Sequence, residues 1–205
     1  MARLAVRDGG EDDMRILVVD AFAADQPGKA LLDRGVARLA ERGHEIDHVD
    51  LVATGFPPFM TEDERRRYHD ADNLSCPHVE ASVAMARSAE AVLFGYPTTM
   101  FTVPAQLKGW LERTMVPGVA FVFDAKQRVR PGLVSVRRVG AITTTPHSRS
   151  SMRSTGDNGR RTLMRSFRAN CGPRCRRSFV SIHDADLAAD PDAATARVDR
   201  SLSRW

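Results

Sequence analysis

Cysteine is scarce in this 205-residue chain: three residues, an odd number, do not set out the paired framework of a small secreted protein. No apolar run approaches the roughly 18 to 20 residues of a bilayer-crossing helix. The opening MARLAVRDGGEDD also lacks the apolar core of a secretory signal. A cytoplasmic protein without membrane insertion is the expectation. A stripe of one charge is missing too. Thirty basic residues are interspersed with 26 acidic ones for a net charge of +4, a mild field that suits an anionic small molecule and argues against nucleic acid as a partner. Internal repeats and low-complexity tracts are absent, so the chain does not read as a repeat array.

What is present is apolar and evenly spread. With 42% hydrophobic residues the chain suffices for one well-cored α/β domain and is short for two. Residues 1–13 read as a flexible leader and 14–205 as that domain. Its organising stretch runs from 91 to 123. The unbroken apolar run AVLFGY at 91–96 reads as a strand covered on both faces. A loop at 97–102 follows, and Pro104 opens a helix at its first position, where a missing N–H costs nothing. Leu107, Trp110, Leu111 and Met115 recur on that helix at helical spacing.

The flanking segments repeat the alternation. Strands are expected at 16–19, 44–51, 139–144 and 179–182, and helices at 29–42, around Val79, Val83 and Ala86, at 161–169, and after the Asp190-Pro191 cap. Thr61-Glu62-Asp63-Glu64 forms a capping box behind the aromatic loop 55–60, whose Phe56 and Phe59 are candidates for the core. Residues 116–123 alternate and read as extended, while 145–159 read as one long polar loop, a length that is more often functional than idle. Five strands alternating with helices predict a doubly wound parallel sheet of order 2-1-3-4-5.

In such a sheet the loops 21–28, 97–102 and 143 onward share the carboxyl edge, where ligands bind. The first stands before a helix N-terminus, a place that favours an anion. Gly28-Lys29 suggests a triphosphate-binding loop, but that motif needs a glycine where Ala23 stands and a Ser or Thr where Ala30 stands, so it is set aside. Cys171-Gly-Pro-Arg-Cys175 has one residue too many for a thioredoxin motif and follows a helix instead of opening one. Its cysteines read as structural, and no metal site is expected. Arg160, Arg161, Arg165, Arg168, Arg174, Arg176 and Arg177 read as a solvated helix face.

Pro97, Phe101, Val103, Pro104, Ala105, Leu107, Lys108, Gly109 and Trp110, followed by Gly118, Ala120 and Phe121, resemble in their order the flavin-contacting segment of the NAD(P)H:quinone oxidoreductases. The likeness extends more thinly from about Met14 to the C-terminus. It implies a flavodoxin-like three-layer fold and an FMN or FAD cofactor. It also implies NAD(P)H as co-substrate and ping-pong hydride transfer to quinones or to similar azo or nitro acceptors, by a homodimer with residues 116–123 along its boundary. By that resemblance Phe22, Gln26 and Gly28 lie by the flavin phosphate, while Pro97, Thr98, Thr99, Met100 and Phe101, with Thr143, Thr144 and Thr145, surround the isoalloxazine ring.

The chain departs from this pattern at three places. The family's first loop usually begins with His-Pro and carries a serine for the phosphate, whereas Phe22-Ala23 and Gln26-Pro27-Gly28 stand here. Many relatives have aromatic residues where Thr99 and Met100 stand. Some use a Tyr and a His on the third loop, near Met152 and Thr155, and here His147 is that loop's one histidine and the candidate proton donor. These departures suit a second reading, a non-catalytic or weakly flavin-binding ancillary subunit of a transporter. A response regulator is excluded because Gly95-Tyr96-Pro97 supplies no acceptor aspartate, and an electron-carrier flavodoxin by the lack of a Ser/Thr-rich first loop.

Overall fold

A computed structural model describes residues 13–70, 73, 74 and 76–205; the expected leader at 1–13 lies outside them apart from Asp13. The five-stranded parallel sheet is built from β1 (Arg15–Asp20), β2 (Glu45–Asp50), β3 (Ala91–Pro97), β6 (Arg138–Thr145) and β7 (Arg176–His183). Their order is β2-β1-β3-β6-β7, the 2-1-3-4-5 arrangement expected of an alternating chain with right-handed crossovers. Helices α1 (Pro27–Glu41), α7 (Asp184–Ala189) and α8 (Pro191–Leu202) cover one face. On the other lie α3 (Pro77–Ser88), α4 (Ala105–Thr114) and the helix that begins as α6 (Asn158–Arg161).

Burial on both faces explains why β3 has no polar residue. Leu93 joins Leu32, Ile142 and Val198 in one core, while Val92 and Phe94 join Leu107, Trp110 and Phe167 in the other. Phe94 meets the rings of Trp110 and Phe167 edge-on, at centroid distances of 6.1 and 5.0 Å. After α6 the backbone widens into a π turn over Thr162–Phe167, which lets Leu163, Met164 and Phe167 all turn inward. Among the described residues no helix is long and apolar enough to cross a membrane.

The structure corrects the sequence reading in four places. Pro104 is the cap before α4, with ψ at 164°, and the helix starts one residue later. Residues 116–123 are not continuously extended. Val116, Val119 and Ala120 are buried in turns, and only β4 (Phe121–Phe123) is strand, in an antiparallel hairpin with β5 (Val129–Pro131) apart from the main sheet. The polar stretch 145–159 holds α5 (Arg149–Thr155), capped by the Ser148 side chain and ended at Gly156 with φ at +88°, and it runs into α6. That helix buries nothing, so it leaves no apolar period to read. Of the two loop phenylalanines, Phe56 is buried but Phe59 is 70% exposed.

The aromatic loop has a mechanical task. Gly109 of α4 lies so close to the Pro58 backbone that a Cβ there would collide with it. Short α2 (Glu62–Arg66) opens with the expected capping box: Thr61 and Glu64 each accept the other's backbone N–H. Glu64 then reaches across to Arg113 of α4, whose Nη2 and Nε lie 2.8 and 3.0 Å from Glu64 Oε1 in the interior. Arg113 also donates to the Pro57 carbonyl and lies over the Phe56 ring. This buried ion pair holds α4, and with it the end of the second loop.

Candidate functional site

The three strand-end loops do meet at one edge. Ala21 N donates to Gly95 O at 2.8 Å, tying the first loop to the end of β3. Thr98 N donates to Thr144 O at 2.7 Å, and the Thr98 and Thr143 hydroxyls share a buried hydrogen bond of 2.9 Å. Asn158 N donates to Phe101 O at 3.0 Å. The second loop is thereby fastened to the third from both sides.

Within the second loop, Thr99 and Thr102 exchange backbone hydrogen bonds of 3.0 and 2.9 Å. The two residues they enclose, Met100 and Phe101, have φ of +49° and +60°, a left-handed conformation that costs an L side chain on the order of 1 kcal/mol or more. Met100 points outward, 80% exposed. Phe101 lies flat against His147, with centroids 3.9 Å apart and planes 15° from parallel. The His147 amide is fixed in turn by donating to Thr145 Oγ1 at 3.2 Å. Nearby, the Tyr96 hydroxyl is buried with no hydrogen-bond partner, and burial, followed by the charge of Asp157, pushes it above the ordinary phenol value. A hollow of about 300 Å³ borders this loop between Thr145, Met152, Asp157, Arg160 and His183. A roomier one, about 820 Å³ among Arg138, Arg176, Arg200 and Trp205, lies at the amino ends of β6 and β7, far from any strand-end loop. Position at the carboxyl edge outweighs volume in locating the chemistry.

The first loop is built differently. Asp20, fully buried, closes β1. Its Oδ1 accepts the Phe22 amide at 2.9 Å. Lys29 Nζ and His48 Nε2 face its Oδ2 at 3.4 Å each, within ion-pair range but without hydrogen-bond geometry. Lys29 also bonds Asp33. Burial alone would lower the Lys29 ammonium, but Asp33 and Asp20 outweigh it and its pKa ends above the ordinary value. Gln26 turns its side chain back to accept the Ala23 amide at 2.9 Å, and its own amide goes to Ala23 O. Pro27 has no amide to offer. The Phe22 ring is buried against Gly28, where a Cβ would strike the ring and would also stand 2.8 Å from Thr144 Cγ2.

Of the residues expected around a flavin ring, Pro97, Thr98, Phe101, Thr143, Thr144 and Thr145 come together, with His147 beside them, while the Thr99 and Met100 side chains stand out in solvent. The residues expected near the phosphate do not open toward a ligand: Phe22 is core, Gln26 is spent within its own loop, and Gly28 is covered. The second and third loops therefore fit a planar ring, having a flat aromatic face on which a planar heterocycle already stacks, hydroxyls and an unpartnered buried phenol. The first loop does not fit a phosphate. The buried Arg113–Glu64 pair was missed from sequence, although Glu64 had been singled out by its capping box.

The two cysteines near the amino edge are free and buried. A hydrogen bond from Cys171 pulls the Cys175 thiol down, and the same bond, with burial, pushes Cys171 up.

Comparison with known proteins agrees with this architecture. The chain matches the family described as flavodoxin-like fold over residues 14–205. The NAD(P)H dehydrogenase (quinone) 1 of Rattus norvegicus is 31% identical over 110 residues, 46% of this chain and 40% of that one. The FMN-dependent NADH:quinone oxidoreductase of Acidovorax ebreus is 27% identical over 157 residues, 72% of this chain and 70% of that one. This chain thus spans less than half the length of the Rattus norvegicus and Cavia porcellus relatives it matches. A solved NAD(P)H:quinone oxidoreductase from Methanothermobacter marburgensis superposes with a TM-score of 0.77, covering 93% of this chain and 98% of that one. At 18% identity that likeness speaks to the fold.

Proposed function

The chain belongs to the flavodoxin-like fold family, and from that premise we propose that it is a flavin-dependent NAD(P)H:quinone oxidoreductase, acting by a ping-pong sequence on quinones and on similar azo or nitro acceptors. The observation that carries this reading is the cross-fastened pair of loops, Thr98 to Thr143 and Thr144, and Phe101 to Asn158, around one planar stacking face. The names of the relatives support the reaction class.

When bound, the flavin supplies the two-electron chemistry. The chain's own part is to hold and to orient. Phe101 gives the ring a flat wall, and the left-handed turn at Met100 sets that wall in place. The Thr98, Thr143 and Thr144 groups orient the ring's polar edge. These groups would line the edge where the polar atoms of a bound ring lie, and their alignment is already made by the bonds between the two loops. His147, with its ring on Phe101, is the residue that protonates an acceptor oxygen as it leaves reduced.

The protein works as a cytoplasmic homodimer in this reading. The β4–β5 hairpin supports the second part, since Val122, Phe123 and Val129 are exposed on it. Free cysteines fit a reducing compartment. The test is consumption of NADH or NADPH by the purified protein with added flavin, followed with and without menadione. Acceleration by menadione is expected. A protein that stays inert with every flavin offered returns the chain to the non-catalytic reading.

A further inference from the structure

We propose that the first loop gives nothing to a flavin's phosphate, and that the site takes the flavin by its ring and ribityl chain, holding riboflavin as well as it holds FMN. The proposal rests on the flavin reading above and narrows it.

A phosphate dianion is bound at a loop before a helix by free backbone N–H groups and by positive charge. Both are depleted here. Of the amides from 21 to 28, those of Ala21, Phe22, Ala23 and Gln26 are used within the protein and Pro27 has none, which leaves those of Ala24, Asp25 and Gly28. On the side where a Cβ would stand, Gly28 is covered by the Phe22 ring and the Thr144 methyl. Lys29, which opens α1, already faces the carboxylates of Asp20 and Asp33. Asp20 is fully buried at the foot of the loop, and Asp25 stands exposed at its tip.

Charge decides the sign. A phosphate offers acceptors only and brings negative charge toward the exposed Asp25; a ribityl chain is neutral, and its hydroxyls can donate to that carboxylate. The same loop that repels the one suits the other. The helix dipole of α1 remains, but it acts within a single turn, in which Pro27 has no amide and the Lys29 amide donates to Gln26 O.

The experiment is equilibrium binding of riboflavin and of FMN to the full chain, followed by quenching of flavin fluorescence at low and high salt. The expected result is an FMN affinity less than tenfold above that of riboflavin, with little dependence on salt. The variant Asp25→Arg, at an exposed position, is expected to strengthen FMN binding several-fold and to leave riboflavin unchanged. An FMN preference of tenfold or more in the parent chain, weakening with salt, overturns the inference and leaves the oxidoreductase reading standing. Failure of both flavins to bind overturns both.

Discussion

The first loop and the pair formed by the second and third loops lie at the same sheet edge, yet they are satisfied in opposite ways. The first is closed mostly from within: its Phe22 and Ala23 amides bond to the Asp20 and Gln26 side chains, its phenylalanine is core and its lysine faces two aspartates. The other two are satisfied by each other, across about 45 residues of chain, and leave an aromatic face and a strained, exposed turn beside them. A loop closed in this way is mostly structure, with little to offer an anion. In the pair, the Phe101 face is covered by one imidazole and can be freed at the cost of one stacking contact while the hydrogen bonds between the loops stay. The comparison therefore assigns binding to one region and stability to the other.

The sharpest way to break that assignment is to cut into the first loop. Phe22→Ala is expected to destabilise the protein by about 3–4 kcal/mol, the usual cost of emptying a buried phenylalanine site, measured by urea denaturation. A loss below about 1 kcal/mol would mean that the Phe22 ring is not part of the core and that the loop is a ligand site after all.

Next in size is the platform under the second loop. Glu64→Ala leaves Arg113 buried without a counter-ion and is expected to cost about 3 kcal/mol. The pair also makes a pH prediction. Burial alone would raise the Glu64 carboxyl, but the Thr61 amide and the Arg113 guanidinium outweigh it and hold it below its ordinary value. A carboxyl depressed in the folded state contributes stability that is complete above its unfolded pKa, about 4.3, and is lost as pH falls through the lower folded value. Melting temperatures of the parent are thus expected to fall more steeply below about pH 4.3 than those of Glu64→Gln, which is less stable throughout but has no such carboxyl to protonate.

How far this was legible in the sequence depends on the range of the interaction. The β3 run announced itself because a parallel strand buried on both faces has no polar position, and the caps at Thr61 and Asp190 because each is completed within three residues. Helix α5 was invisible because it buries no residue, and a helix without an apolar face has no period. The two ends of the candidate site differ in the same way. That Phe101 would stack on His147 depends on two loops meeting, which no local pattern encodes. The inward turn of Phe22 depends on Gly28 having no side chain, a packing fact six residues away. Arg113 carries no local mark of burial, since arginine is mostly exposed and its partner lies 49 positions earlier.

At the binding pair the balance should reverse, with small changes in stability and larger ones in affinity. Phe101→Ala removes an exposed-edge stack of the kind worth about 0.5–1.5 kcal/mol, so the melting curve should move little. Flavin affinity is expected to fall about tenfold in the same variant, since the wall that receives the ring is gone. Equal damage to both would erase the distinction between the two regions.

The smallest expected effect comes from Met100. Its φ of +49° lies where only glycine is unstrained, and its side chain, 80% exposed, gains almost nothing from packing. Met100→Gly should therefore relieve strain at the cost of a more flexible unfolded chain, for a net change within about 0.5 kcal/mol of zero. If the turn exists to aim Phe101, the glycine variant keeps its stability and yet binds flavin more weakly, because the wall is no longer held at one angle. Met100→Trp, by contrast, puts a second flat surface on the same turn and is expected to tighten flavin binding severalfold with no gain in stability. A tryptophan variant that binds flavin no better than the parent would place the turn outside the ring's reach, and the aromatic face would then end at Phe101.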